Sequence, residues 1–203
     1  MSIDDICLLT IRDGRNEVHE RARNSVMRSL PEFEYGVLVD DHEHKLGFAG
    51  AIKEGWRQIL ETDARWVFHC ELDFTFKRRV PIDRMRDLLV QQPHLAQVSL
   101  KRQAWNEQEI AAGGIVELNP DDFHEKRNDD LVWTEHCRYF TTNPSLYSVR
   151  MCELGWPQEA RSEGLFTRRV LDSIPKAMFA IWGAKFASPM VHHIGVERAG
   201  HGY

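Results

Sequence analysis

Hydrophobic positions change period repeatedly through the first hundred residues. Residues 6–11 (ICLLTI) form a near-continuous apolar run, as a strand buried on both faces requires. Val18, Ala22, Val26 and Leu30 then recur at four-residue steps and predict a helix ending at Pro31. Residues 35–39 (YGVLV) return to strand, broken by Asp40 and Asp41. Apolar residues at 46, 49, 52, 56, 59 and 60 predict a helix, and residues 66–70 (WVFHC) a third strand. Pro81 opens a further helix with Met85, Leu88 and Leu89 on its inner face, and residues 95–100 read as a fourth strand. This alternation predicts an α/β fold with a mixed, mostly parallel sheet flanked by helices on both faces.

The second half is less regular. Residues 101–135 are rich in Asn, Asp, Glu and Gly and predict loops and short strands lining a site. A turn is expected at 141–144 (TTNP) and a helix over 145–154, ended by Gly155-Trp156-Pro157. A second helix is expected over 162–174, with Ser162 as its N-cap. No repeat or linker divides the chain, so residues 1–203 are expected to form one domain.

Composition narrows the class. Net charge is −5, so the chain lacks the cation excess that a phosphate backbone rewards. No apolar run approaches about 18 residues, so no membrane partner is expected. The first residues, MSIDDICLLTI, lack the basic start and apolar length of a signal peptide. Cys7, Cys70, Cys137 and Cys152 form no CxxC pair, and Cys7 and Cys70 lie within strand runs. Small buried thiols in a reducing compartment fit best, hence an expected cytoplasmic location.

Open α/β sheets bind ligands beyond the carboxyl ends of their strands. Polar residues collect there: Thr10, Arg12 and Arg15 after the first strand, Asp40 and Asp41 after the second, Glu71 and Asp73 after the third. Residues two apart in an extended segment share a side, so Glu71 and Asp73 suit a hard divalent cation, Mg²⁺ or Mn²⁺, as well as a solvated acidic loop. Arg12 and Arg15 read either as surface charge or as partners for a diphosphate. His192 and His193 are either satisfied side chains or a nitrogen ligand. Glu163 is either a helix-start carboxylate favoured by the dipole or a general base. GxGxxG, GxxxxGK[ST] and GxSxG are all absent, which removes the dinucleotide fingerprint, the P-loop and the nucleophile elbow.

The segments LLTIRDGR, VLVDD and LGFAGAIKEGW, followed by ELDF, SEGLFTRR and HHIG, resemble a GT-A fold glycosyltransferase, family 2-like. ELDF is similar to that fold's DxD metal motif, with Glu71 in the first acidic position. YFTTNPSLYSVRMCELGWP with SEGLFTRR resembles small bacteriophage-encoded glycosyltransferases. The run after Glu163 departs from the Gln-x-x-Arg-Trp pattern of polymerising, membrane-embedded synthases. The resemblance implies a nucleotide-binding half over about 1–100 and an acceptor-side half over about 101–203. It implies Asp73 as metal ligand with His193 as the second and His192 as competitor, for Mn²⁺ or Mg²⁺. Thr10, Arg12, Arg15, Asp40, Asp41 and Glu71 would bind the nucleotide-diphosphate sugar donor. Glu163 would be the base of an inverting transfer, with Asp121, Asp122 and Glu135 as fallbacks. The acceptor classes implied are a virion protein, a modified DNA base or a glycan. The rival readings are a nucleotidyltransferase, which usually shows a longer glycine-rich loop after its first strand, and a binding module of the same fold that has no need of Glu163.

Overall fold

The computed structural model describes residues 4–128 and 130–195. The first half follows the expected alternation: β1 (Ile6–Arg12), α1 (Asn16–Ser29), β2 (Tyr35–Asp40), the one-turn α2 (Asp41–His44), α3 (Gly47–Ile59) and β3 (Trp66–Glu71). A short β4 (Phe74–Phe76), α4 (Ile82–Gln91) and β5 (Leu95–Ser99) complete it. The second half contains α5 (Glu107–Ala112), α6 (Ile115–Leu118), β6 (His124–Asn128), β7 (Leu131–His136), β8 (Ser145–Ser148), α7 (Arg150–Glu153), α8 (Ser162–Ser173), β9 (Met178–Trp182) and β10 (Val191–His193).

Eight strands form the main sheet in the order β2-β1-β3-β8-β5-β9-β7-β6. β1 pairs in parallel with β2 and β3, and β5 with β9. β8 lies antiparallel between β3 and β5, and β7 antiparallel between β9 and β6. β8 and β7 are therefore the two strands that run against the rest. A small second sheet pairs β10 with β4, antiparallel.

Strand alternation divides the core into two layers. Ile6, Phe68, Cys70, Val98 and Leu146 pack with α1 and α4 through Val26, Leu30, Met85 and Leu88. Cys7, Leu9, Val67, Tyr147 and Phe179 pack on the other face with α3, α7 and α8 through Ile52, Trp56, Met151 and Phe166. Trp56, Phe140, Trp156 and Phe166 meet largely edge-to-face, with Trp56 and Phe166 centroids 5.0 Å apart. Burying a side chain of this size stabilises by about 1.5–3 kcal/mol, so this cluster fixes the seat of α8.

Two expectations are corrected. The segment from Ser145 to Leu154 is not one helix: residues 145–148 are β8, and only Arg150–Glu153 are helical. Leu146 and Tyr147 are fully buried on opposite faces, and the ladder positions offered by β3 and β5 override local helical spacing. Ser162 does not cap α8. It is the first helical residue, and the cap position is Arg161, in the left-handed region at φ 60° with no side-chain capping bond. Cys7, Cys70 and Cys152 are buried, as expected of Cys7 and Cys70, whereas Cys137 is exposed.

His69 in β3 is fully buried, 3.2 Å from the Tyr147 hydroxyl through Nδ1, with no partner at Nε2 among the described residues. Burial pulls its pKa down to about 3. Burial, aided by Arg138, does the same to His136. Both rings fold neutral but protonate near pH 6.5 once unfolded, so their stability is present above about pH 6.5 and is lost as pH falls toward 3. Each should withdraw about 2 kcal/mol by pH 5. Urea midpoints measured at pH 7, 6 and 5 should fall steadily; a flat series would refute this.

Candidate active site

β3 aims its alternate residues Val67, His69 and Glu71 toward the face that carries α8. Glu71 ends the strand 7% exposed, and Leu72 N–H donates to the Ile11 carbonyl at 2.9 Å to begin the turn. That turn carries Asp73, only 3% exposed, into contact with two basic groups. Arg15 Nη2 donates to Asp73 Oδ2 at 3.0 Å, and His193 Nε2 lies 3.0 Å from the same oxygen. Asp73 Oδ1 is buried with no hydrogen-bond partner among the described residues. Arg15 is anchored behind by Asp13, its Nε 2.9 Å from Asp13 Oδ1. Burial opposes ionisation of Asp13, but bonds from His19 and Arg15 outweigh it and hold the carboxyl below the usual range. Desolvation likewise lowers Arg15, and Asp13 and Asp73 more than compensate.

His193 is fixed on every side. Its ring lies between Phe74, with centroids 4.6 Å apart, and Trp105, at 4.3 Å. Its backbone N–H donates to Gln103 Oε1 at 2.9 Å, and Gln103 Nε2 donates back to its carbonyl at 3.0 Å. His192, the neighbour on the pleat, is exposed, and its backbone pairs with Thr75. Of the two histidines, His193 is therefore the one brought to Asp73. Ile194 N–H donates to the Asp73 carbonyl at 2.7 Å, which draws the chain across the site. A Cβ on Gly195 would sit 2.5 Å from Asp73 Oδ2 and 2.6 Å from Arg15 Nη1, so a side chain there would have to displace the Arg15–Asp73 pair.

Glu163 enters from α8. Its Oε1 accepts from Thr142 N–H at 2.9 Å and from Thr142 Oγ1 at 3.1 Å. Oε2 has no hydrogen-bond partner among the described residues. Thr167 holds this turn, donating to the Glu163 carbonyl at 2.8 Å while accepting from Phe140 N–H at 2.8 Å. Glu71, Glu163 and His193 line one cavity of about 370 Å³, together with Arg102, Trp105 and Asn143. Sequence spacing did not single out Arg102. It forms a two-pronged pair with Glu109 at 2.8 and 3.1 Å, and Asn106 caps α5 by accepting from Glu109 N–H. The Asn106-x-x-Glu109 spacing, a capping-box pattern, was the available signal.

The remaining expected residues lie along the same edge but outside that cavity's lining. Thr10 Oγ1 donates to the Val37 carbonyl at 3.4 Å. Arg12 pairs with Asp40, whose carboxyl it holds below the usual range. Asp40 also caps α2 through Glu43 N–H, and Asp41 accepts from Gly47 N–H at 2.7 Å. Asp121, Asp122 and Glu135 do not line the cavity either; Glu135 is bound by Trp133 Nε1 and faces His94. No helix among the described residues is long and apolar enough to cross a membrane.

The large central sheet flanked by helices has a GT-A-like fold. S. aureus TarS, residues 1–349, superposes over 94% of this chain with a TM-score of 0.55 at 11% identity. This chain spans 60% of that structure's length. A197 from STIV aligns over 98% of this chain and 99% of its own, with a TM-score of 0.49 and 9% identity. No family model and no curated protein matches the sequence.

Proposed function

We propose that this chain is a glycosyltransferase that moves a sugar from a nucleotide-diphosphate donor to an acceptor hydroxyl with inversion. The carrying observation is the anchored carboxylate of Glu163, one oxygen held by Thr142 and the other without a partner among the described residues, in one cavity with Glu71 and His193. The GT-A-like fold supports the same class.

A divalent cation fits this donor set. No group of three ligating side chains occurs among the described residues, but Asp73 and His193 adjoin, and Asp73 Oδ1 is buried and unpartnered. One carboxylate and one imidazole suit Mn²⁺ or Mg²⁺ when substrate phosphates complete the shell. When bound, the cation supplies charge neutralisation at the leaving diphosphate. Arg15 adds a fixed positive charge beside it. Glu163 takes the proton of the acceptor hydroxyl as that oxygen bonds to the anomeric carbon. The anomeric bond to the diphosphate breaks on the opposite face, and its electron pair leaves with the nucleotide.

The test incubates the protein with a panel of labelled nucleotide sugars and Mn²⁺, then strips metal with EDTA. One donor should be turned over, activity should disappear with EDTA, and Mn²⁺ should restore it at least as well as Mg²⁺. Failure of every donor to bind or react would overturn the reading. Full activity after exhaustive EDTA treatment would overturn its cation.

A further inference from the structure

A second cavity, of about 190 Å³, shares Arg102, Thr141, Asn143 and Glu163 with the first. Its other walls are Ser99, Leu100, Lys101, Ile115, Tyr139, Phe140 and Ile181, and neither Glu71 nor His193 reaches it. Both of its cations are neutralised: Lys101 Nζ is 2.8 Å from Glu117, and Arg102 is paired with Glu109. Ile115, Ile181, Leu100 and Phe140 supply apolar surface. Besides Glu163 Oε2, two polar groups remain unused. The Tyr139 hydroxyl and the Asn143 side-chain amide make no hydrogen bond to any described residue, whereas Ser99 is spent on the Ala180 carbonyl. Burial raises the Tyr139 pKa well above the ordinary phenol value, so its hydroxyl stays protonated and both donates and accepts.

We infer that this smaller cavity is the acceptor pocket and takes a single uncharged, hydroxyl-bearing ring, a monosaccharide or the end residue of a glycan. With both cations already paired and the Glu163 carboxylate in its wall, the cavity disfavours a phosphate or carboxylate, because an anion would be desolvated there without an available counter-ion. The small volume admits one ring, with its apolar edges on Ile115 and Ile181 and its hydroxyls on Tyr139 and Asn143. The two cavities meet at Glu163. With the acceptor between Tyr139 and Glu163 and the diphosphate beside Asp73 and His193, the two would face the donor's anomeric carbon from opposite sides, as inversion requires.

This inference rests on the glycosyl-transfer reading, and binding of free sugars tests it separately from turnover. Saturation-transfer NMR would be run on the full chain with glucose, galactose, mannose and N-acetylglucosamine at millimolar concentration, with nucleoside diphosphate and Mn²⁺ present. At least one sugar should bind, and Tyr139→Phe and Asn143→Ala should each weaken it by about three- to tenfold, the worth of one neutral hydrogen bond. In Glu163→Gln protein, which consumes its donor more slowly by about 10²-fold or more, the sugar should stay bound when the intact nucleotide sugar is added. Displacement by the nucleotide sugar would assign the pocket to the donor's own sugar and overturn the inference. So would absence of sugar binding in samples that bind the nucleotide, or binding indifferent to both substitutions. Sugar binding without any nucleotide binding would keep the pocket and overturn the glycosyl-transfer reading instead.

Discussion

Glu163→Gln is expected to lower the transfer rate by about 10²-fold or more while leaving donor affinity nearly unchanged, in line with loss of a general base. The substitution keeps size and preserves most of the local structure. The amide oxygen can still accept from Thr142 N–H and Oγ1, so the turn tied by Thr167 and Phe140 remains seated. What disappears is the ability of the second oxygen to take a proton. Donor grip is assigned to Asp73, His193 and the nucleotide-side residues, whereas the hydrogen bonds of Glu163 run to Thr142 and Thr167. Calorimetry for donor binding and product formation for transfer, taken from one preparation, separate the two effects. Transfer within a few-fold of wild type would return Glu163 to a helix-start carboxylate favoured by the dipole.

Half of the main sheet was legible because its signals were local. β1, β2, β3 and β5 are short apolar runs between clear amphipathic helices, and the right-handed crossover rule leaves few arrangements for them. β8 was not legible. Its four residues carry a helix-compatible spacing, and only the gap between β3 and β5 makes them a strand. The site divides the same way. Glu71, Asp73, His193 and Glu163 follow strand ends or a helix start and could be named from position. Their geometry could not: that Arg15 reaches across 58 residues to Asp73, or that Gln103 clasps His193 across 90, depends on long-range packing. The smaller cavity had no sequence signal, since Tyr139 and Asn143 lie in an irregular segment whose meaning comes from what faces it.

Asp73→Asn is expected to erase the cation dependence of donor binding. In the wild type, EDTA should weaken donor affinity by about 10²-fold, because the charge neutralisation that the cation offers the diphosphate is lost. The variant should bind the donor at that weak level with or without Mn²⁺. Asn keeps the shape of Asp but brings a neutral amide to a site where Oδ2 serves both Arg15 and His193. Arg15 keeps its contact with Asp13 at 2.6 Å, so the substitution does not strand a buried charge without a partner. The backbone is also held independently, by the bond from Ile194 N–H to the residue-73 carbonyl and by the β4–β10 pairing. Thermal stability should therefore change far less than binding does, and a melting curve on the same samples separates the two. If Asp73→Asn bound the donor as tightly as wild type and still responded to EDTA, the cation would have to sit elsewhere. The Arg15–Asp73–His193 chain would then be a structural clamp, holding the β10 strand and Gly195 across the end of the sheet.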